Sequence, residues 1–472
     1  MPDEPSKEPD PKRWRPFLRL GKYLSDDFLA EAERWQTLVS GYGISKVPTQ
    51  PQTKDEWLAF FAHCHDGWKQ AQKEIAAFLT SALSRLAKAQ EFEKQQHRLK
   101  DRNGSKQARA QVKQISLEMS VARRMLDVIL WTIFAADHST LRRLIVNGGQ
   151  HSLSQKNIEV AMAAADYFNE NPQVMALSTD MLSLVHVGDL IVTDREKNIT
   201  QFIELKAGDK NLEISAAAEF AVRSGCDLFE SMATAEYDEH DRRHYERVKK
   251  QAKRNDTIIS TIRNEGGTDP NTGATVIINS TPEPPQYWSD RITQCYEQLD
   301  AQKHWAIDVI DKCIYLGVYS DQRMAFVGFQ MWMDREKCSS PIFNLTDSFF
   351  DLGVRPLGAT LLPETLRLKV FRGDILVIMC LDIEKFIALG NRLQPESMRL
   401  ATRAETAKMR VHRMGNLTMN GRYICTVLDG EVSFMGAGTR DRILFDQHSP
   451  AHLLKQRFAA GPMSRRINRE NS

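Results

Sequence analysis

The sequence predicts a mixed α/β fold, and three observations carry that expectation. Residues 55–99 and 106–145 are rich in Ala, Leu, Lys, Glu and Gln, with Ile75, Phe78, Leu79, Leu83 and Leu86 at helical spacing. Between Val187 and Gly208, two apolar, β-branched runs flank Arg195-Glu-Lys-Asn198, the pattern of an antiparallel hairpin. The last third mixes both element types: an apolar strand at 374–381, a helix at 383–391, and strands flanking the turn Asp429-Gly430. With 472 residues, 42% hydrophobic and 26% charged, the chain has room for two or three domains. The expected division is a disordered tail at 1–16, a helical N-terminal region at 17–150 and an α/β core at 151–335. A mixed α/β C-terminal domain follows at 336–472, ending in a loose basic tail from Pro462.

Residues 1–15 combine proline with charge and lack the apolar stretch of a signal peptide, hence the tail. Asp101-Arg-Asn-Gly-Ser105 breaks the helical run, so 55–145 reads as a long helical hairpin. Its tip is basic, with Lys94, Arg98, Lys100, Arg102, Lys106, Arg109 and Lys113. Such a run is usually a solvated helix end, and a phosphate-contacting arm or partner platform is the alternative. His63 and His65 bracket Cys64, but helical positions two apart diverge, so a shared metal ion is not expected. A further helix is expected from Ser154 or Asn157 to about Asn169, closed by Asn171-Pro172, with Ile158, Met162, Ala165 and Phe168 on its buried side.

Residues 174–177 and 181–187 read as extended and lead into the hairpin. Residues 212–262 read as helix, interrupted near Asp238 and densely basic from Asp241 to Arg254. Beyond them a short strand at 274–278, a helix at 288–302 and a strand pair at 304–319 turning at Asp311-Lys312 are expected. A further extended run is expected at 324–333.

The hairpin concentrates charge. Centring its turn between Glu196 and Lys197 sets Asp189 opposite Glu204, and strand alternation puts Lys206 on the face of Glu204. Residues 190–192 with Phe202, Ile203 and Leu205 imply a buried ribbon, where charges are costly unless paired or metal-bound. The plainer alternative is the exposed polar face of an ordinary hairpin.

Asp189 followed by Glu204-Leu-Lys206, between a preceding and a following helix, resembles the PD-(D/E)xK nuclease-like superfamily. Gly188 stands where that family has proline. The stretches 128–131, 152–157, 187–208, 245–254 and 313–319 are also similar to uncharacterised bacterial proteins built around this core. The resemblance implies a restriction-endonuclease-like αβββαβ core and a DNA-cleaving enzyme, an endonuclease before an exonuclease, in bacterial defence against foreign DNA. Asp189 and Glu204 would offer hard oxygen ligands to Mg²⁺, with Mn²⁺ as substitute, and Lys206 would stabilise charge on the attacking water. Glu159 matches the family's additional helical glutamate, with Glu170 the second choice and Asp180 a minor candidate. Arg247, Lys250, Gln251 and Arg254, on the helix after the hairpin, would hold DNA phosphates. A nuclease fold that binds nucleic acid or docks a partner without hydrolysis is the alternative function.

Other classes find less support. The net charge of +2 confines any nucleic-acid affinity to local patches, and no run of eighteen apolar residues suggests a membrane span. Seven scattered cysteines without a Cys-x-x-Cys pair support neither a disulfide framework nor a zinc site, and a reducing cytoplasm is expected. Nucleotide-binding P-loop, His-Glu-x-x-His and Gly-x-Ser-x-Gly motifs are absent, and Gly436-Ala-Gly438 lacks a third glycine. DNA is the expected partner. A second copy or another protein would dock through the helical N-terminal region.

Overall fold

The computed structural model describes residues 15–47, 50–145, 153–185, 187–205, 209–264, 266–268, 275–277, 283–410 and 416–461. The fold is mixed α/β with small antiparallel sheets, and the chain divides into two compact units. One comprises residues 43–80 and 139–280; the other comprises 1–42, 81–138 and 281–472. Residues 1–14 of the expected tail and the basic end from Pro462 lie outside the described residues, whereas Arg15–Phe17 form a 3-10 turn with Phe17 buried.

The helical hairpin consists of Lys54–Arg98 and Arg102–Ile133. Asp101 starts the second helix by accepting the N–H groups of Asn103 and Gly104, both at 3.0 Å. That helix stops at Ile133, short of the expected 145, because Ala135 and Ala136 adopt left-handed φ values of 49° and 57°. At the tip, Arg109 pairs with Glu93 and Lys94 with Glu91, all in an exposed setting that suits a solvated helix end.

In the unit of residues 43–80 and 139–280, β1 (Val174–Ser178), β2 (Leu190–Asp194) and β3 (Ile199–Ile203) form an antiparallel sheet in that order. The preceding helix, Gln155–Asn169, is capped by the Ser154 hydroxyl and packs Ala161 and Ala165 on Val174, Ala176, Leu190 and Val192. Side-chain amides cover the outer edge of β1. Asn169 bonds both backbone groups of Ala176, and buried Gln72 bonds the Ala176 carbonyl and the Ser178 N–H, each at 2.9 Å. The described residues of 181–187 include no strand, contrary to their apolar pattern. The Thr179 N–H already reaches the Asp189 carbonyl, at 3.0 Å, so the chain is closing a turn there, and Met181, Leu182, Leu184, Val185 and Val187 are buried in the core.

After the hairpin come the helices Asp209–Ser224, Asp227–Ala233 and Glu239–Arg263, separated at Gly225 (φ 60°) and at the N-cap Asp238. β4 (Gly266–Thr268) and β5 (Thr275–Ile277) pair with each other as a separate sheet. Among the described residues, the β1–β3 sheet therefore has no fourth strand, and the final strand of the expected αβββαβ order is not part of it.

In the other unit, β6 (Trp305–Ile310), β7 (Ile314–Tyr319), β8 (Ile342–Asn344) and β9 (Leu376–Leu381) make a sheet of order β6-β7-β9-β8. The β6–β7 strands, expected within the 151–335 core, thus belong with the C-terminal stretch. The physical reason is the six-residue pairing of two wholly buried strands, β7 and β9, far apart in sequence. The expected extended run at 324–333 is instead the helix Gln322–Arg335. Asp321 caps it through the Met324 N–H at 2.7 Å, and Ala325, Phe329 and Met333, four apart, bury against Tyr315, Tyr319 and Ile378. Fully buried Arg124 bonds Asp127 at 2.8 Å and the carbonyls of Ser348, Asp351, Leu352 and Val354, holding that turn in place. β10 (Met398–Leu400), β11 (Thr418–Met419), β12 (Arg422–Leu428) and β13 (Glu431–Phe434) form the last sheet, with Asp429 and Gly430 at positive φ in the expected hairpin turn. No helix of the described residues is long and apolar enough to cross a membrane.

Candidate functional site

The β2–β3 register pairs Leu190 with Ile203 through to Asp194 with Ile199, symmetric about Glu196 and Lys197 as expected. Asp194 sets the turn by accepting the Lys197 N–H at 3.0 Å, and Asn198 takes a φ of 53°. Burial raises the Asp194 carboxyl, but hydrogen bonds and charge from Lys197 outweigh it and hold the group below its usual range.

Pairing ends one residue short of the two acids. Gly188 turns the chain with a φ of 66°, and the Asp189 N–H then donates to the Ile203 carbonyl at 2.8 Å. The Leu205 N–H donates to the Asp189 carboxylate at 2.6 Å, so the side chain stands in for a ladder carbonyl. Proline cannot adopt the Gly188 conformation, and a Cβ there would sit 3.0 Å from the Ile203 carbonyl oxygen.

Only half of the ribbon is buried, which corrects the expectation from its apolar residues. β2 is buried throughout; β3 is exposed at Ile199–Gln201 and half-buried at Phe202 and Ile203, because it forms the sheet's edge. Asp189 and Glu204 are themselves half-buried, and Glu204 lines a cavity of about 370 Å³ together with Gly188, Glu219, Arg223, Asn255 and Asp256.

Glu204 is held from the Glu239–Arg263 helix. One of its carboxylate oxygens accepts from Gln251 Nε2 at 3.0 Å and from Asn255 Nδ2 at 2.8 Å. Gln251 therefore contacts the acid, although its expected role was at phosphate. Asn255 was not among the expected site residues. The available signal was its position four after Gln251, one turn along the same helical stripe. Arg247 lies one turn earlier on that stripe, exposed, with its guanidinium 2.8 Å from the His244 ring. Lys250 is exposed and Arg254 half-buried, whereas Lys249 is paired with Glu230.

No protein-family model, curated protein or solved structure matches this chain. The site is therefore read from its own residues.

Lys206, the third member of the expected triad, lies outside the described residues. Glu159 is exposed and takes its hydrogen bond from Gln155, four residues back on its own helix, at 2.8 Å; it bonds neither Asp189 nor Glu204. Glu170 is the exposed C-cap of that helix, and Asp180 sits in the turn after β1. His65 is a core residue, its Nδ1 donating to the Pro172 carbonyl at 2.9 Å, and burial pushes its pKa down to about 4. Among the described residues, Asp238, His240 and Asp241 bring potential ligand atoms within 4.8 Å of one another, an exposed group that includes neither Asp189 nor Glu204.

Chemically, the hairpin end offers two carboxylates of different character. A backbone N–H orients the Asp189 carboxylate, and two neutral amides orient one carboxylate oxygen of Glu204. Carboxylates oriented in this way present hard oxygen ligands suited to a hard cation.

Proposed function

We propose that this protein is a divalent-metal-dependent nuclease of the PD-(D/E)xK type acting on DNA, with its restriction-endonuclease-like core in residues 155–263. The observation that carries the proposal is the location of Asp189 and Glu204 at one end of a single hairpin, with Glu204 oriented by the following helix. Two carboxylates at one hairpin end, Glu204 lining a cleft, fit Mg²⁺ or Mn²⁺, ions that keep several waters of their own; Asp189 and Glu204 would hold the ion. When bound, such an ion supplies Lewis acidity toward a phosphoryl oxygen and a water of lowered pKa.

The chain's own groups do the rest. Leu205 and the Gln251–Asn255 pair fix the two acids, a preorganisation that metal sites depend on. Lys206, two residues beyond Glu204, stabilises negative charge developing on the attacking water. Arg247, Lys250 and Arg254 contact phosphates and set the duplex position. Glu159 is the remaining carboxylate of the family pattern. A bacterial cytoplasm, with foreign DNA as the target, is the setting that the family resemblance suggests.

The test is to incubate supercoiled, linear and single-stranded DNA with the full chain in Mg²⁺, Mn²⁺ or chelator. Metal-dependent nicking or linearisation is expected, lost in Lys206→Ala while the circular dichroism spectrum stays unchanged. Unchanged cleavage by Lys206→Ala removes the site assignment, and no cleavage of any substrate by the parent protein removes the nuclease reading.

One observation favours a second reading, a non-hydrolytic nucleic-acid-binding or docking module. One carboxylate oxygen of Glu204 already accepts from the side-chain amides of Gln251 and Asn255. On that reading the protein binds DNA in Mg²⁺ without cutting it, and a Mn²⁺-soaked crystal shows no ion between Asp189 and Glu204.

A further inference from the structure

Away from the hairpin, the β6-β7-β9-β8 sheet carries a pair of thiols. Cys380 lies on the inner strand β9, buried with Tyr315, Phe329 and Met333 under the Gln322–Arg335 helix. Just beyond that helix, Lys337 reverses the chain with a φ of 53°, and Cys338 comes back half-buried against the same cluster. The two sulfurs are 3.7 Å apart, and Cys380 Sγ also lies 3.6 Å from the Ser340 carbonyl oxygen. No other thiol–thiol contact occurs among the described residues, and none of the seven cysteines is joined in a disulfide.

We propose that Cys338 and Cys380 are a peroxide-oxidisable pair that closes into a disulfide, with Cys338 as the nucleophile and Cys380 as the resolving thiol. Position assigns the roles: Cys338 is reachable at a helix-terminal turn, and Cys380 is sealed in the sheet. The Cys338 thiolate attacks one peroxide oxygen, breaking the O–O bond; hydroxide leaves and takes up a proton, and Cys338 becomes a sulfenic acid. The Cys380 sulfur then attacks the Cys338 sulfur and expels the sulfenic oxygen as water, carrying the Cys380 proton with it. In sum, two thiols and one peroxide give one disulfide and two waters, the thiols losing two electrons and the peroxide gaining them. Closure takes the sulfurs from 3.7 Å to the bonded distance of about 2 Å.

Electrostatics favours the same division of roles. The hydrogen bond from the Cys380 thiol, against the opposing effect of burial, holds Cys338 down at about 7. That contact and burial together push Cys380 far up, so it keeps its proton until the second step. A nucleophile whose pKa sits near ambient pH combines thiolate content with reactivity.

The experiment uses the reduced full-length chain, treated with a small excess of hydrogen peroxide, alkylated under denaturing conditions and mapped by mass spectrometry. The parent protein should lose the mass of two hydrogens, yield a Cys338–Cys380 linked peptide, and leave five of its seven thiols alkylated. Cys380→Ser should stop at a Cys338 sulfenic acid trapped by dimedone, formed faster than any adduct at exposed Cys226. In Cys338→Ser, Cys380 should remain alkylatable. Absence of the linked peptide from the parent protein overturns the proposal whatever the variants do, and so does preferential oxidation of Cys226. This readout is independent of DNA cleavage.

Discussion

Removing the Asp189 carboxylate should separate its structural role from its chemical one. In Asp189→Ala the half-buried Leu205 N–H loses an acceptor now 2.6 Å away. A hydrogen bond to a charged group contributes about 1.5–3 kcal/mol, so a loss of about 2 kcal/mol is expected. Asp189→Asn keeps a carbonyl oxygen in the same place and gives up only the charge, which roughly halves the bond, for a loss of about 1 kcal/mol. Both variants remove an anionic ligand and should abolish metal-dependent cleavage. Urea titrations followed by circular dichroism give the stability order parent, Asn, Ala, and a plasmid-nicking assay gives activity. An Ala variant as stable as the parent would refute the role assigned to the Leu205 contact; a fully active Asn variant would refute the metal-ligand role.

Three other outcomes are expected. Gly188→Ala should cost about 1–2 kcal/mol, since its φ of 66° is left-handed and its Cβ would crowd the Ile203 carbonyl, and Gly188→Pro should cost more; urea midpoints check the order. Gln251→Ala combined with Asn255→Ala should weaken Mn²⁺ binding about 10–100-fold by freeing Glu204, as measured by calorimetric titration, and unchanged affinity would show that the amides do not orient the acid. His65, whose folded pKa of about 4 lies below the usual 6.5, contributes stability that is complete above pH 6.5 and lost as pH falls toward 4. The span corresponds to about 3 kcal/mol at most, and His65→Asn should flatten that part of the urea-midpoint-versus-pH profile.

Elements whose signals are local were legible from the residues. The hairpin register followed from turn chemistry and alternation, the cap at Ser154 from its helical context, and the breaks at 101–105 and near Asp238 from their residue types. The helix Gln322–Arg335 was misread because Met324, Ala325, Phe326 and Val327 form a dense apolar run that suits either element; the cap at Asp321 and the spacing of Ala325, Phe329 and Met333 decide it. Residues 181–187 failed for the converse reason. A buried loop is as apolar as a strand, and only the Thr179–Asp189 bond shows that the chain is closing a turn.

For the candidate site, sequence alone was enough to select Asp189 and Glu204 and bring them to the same hairpin end, because strand alternation and a symmetric turn need no long-range information. Tertiary structure decided what it could not. It stopped the ladder at Gly188, turned the Asp189 carboxylate onto Leu205, exposed β3 as an edge and brought Gln251 and Asn255 to Glu204. It also joined β7 to β9 and set Cys338 beside Cys380. These contacts link residues 16 to 67 positions apart, and most of them depend on which apolar faces bury against each other. No local pattern records that choice.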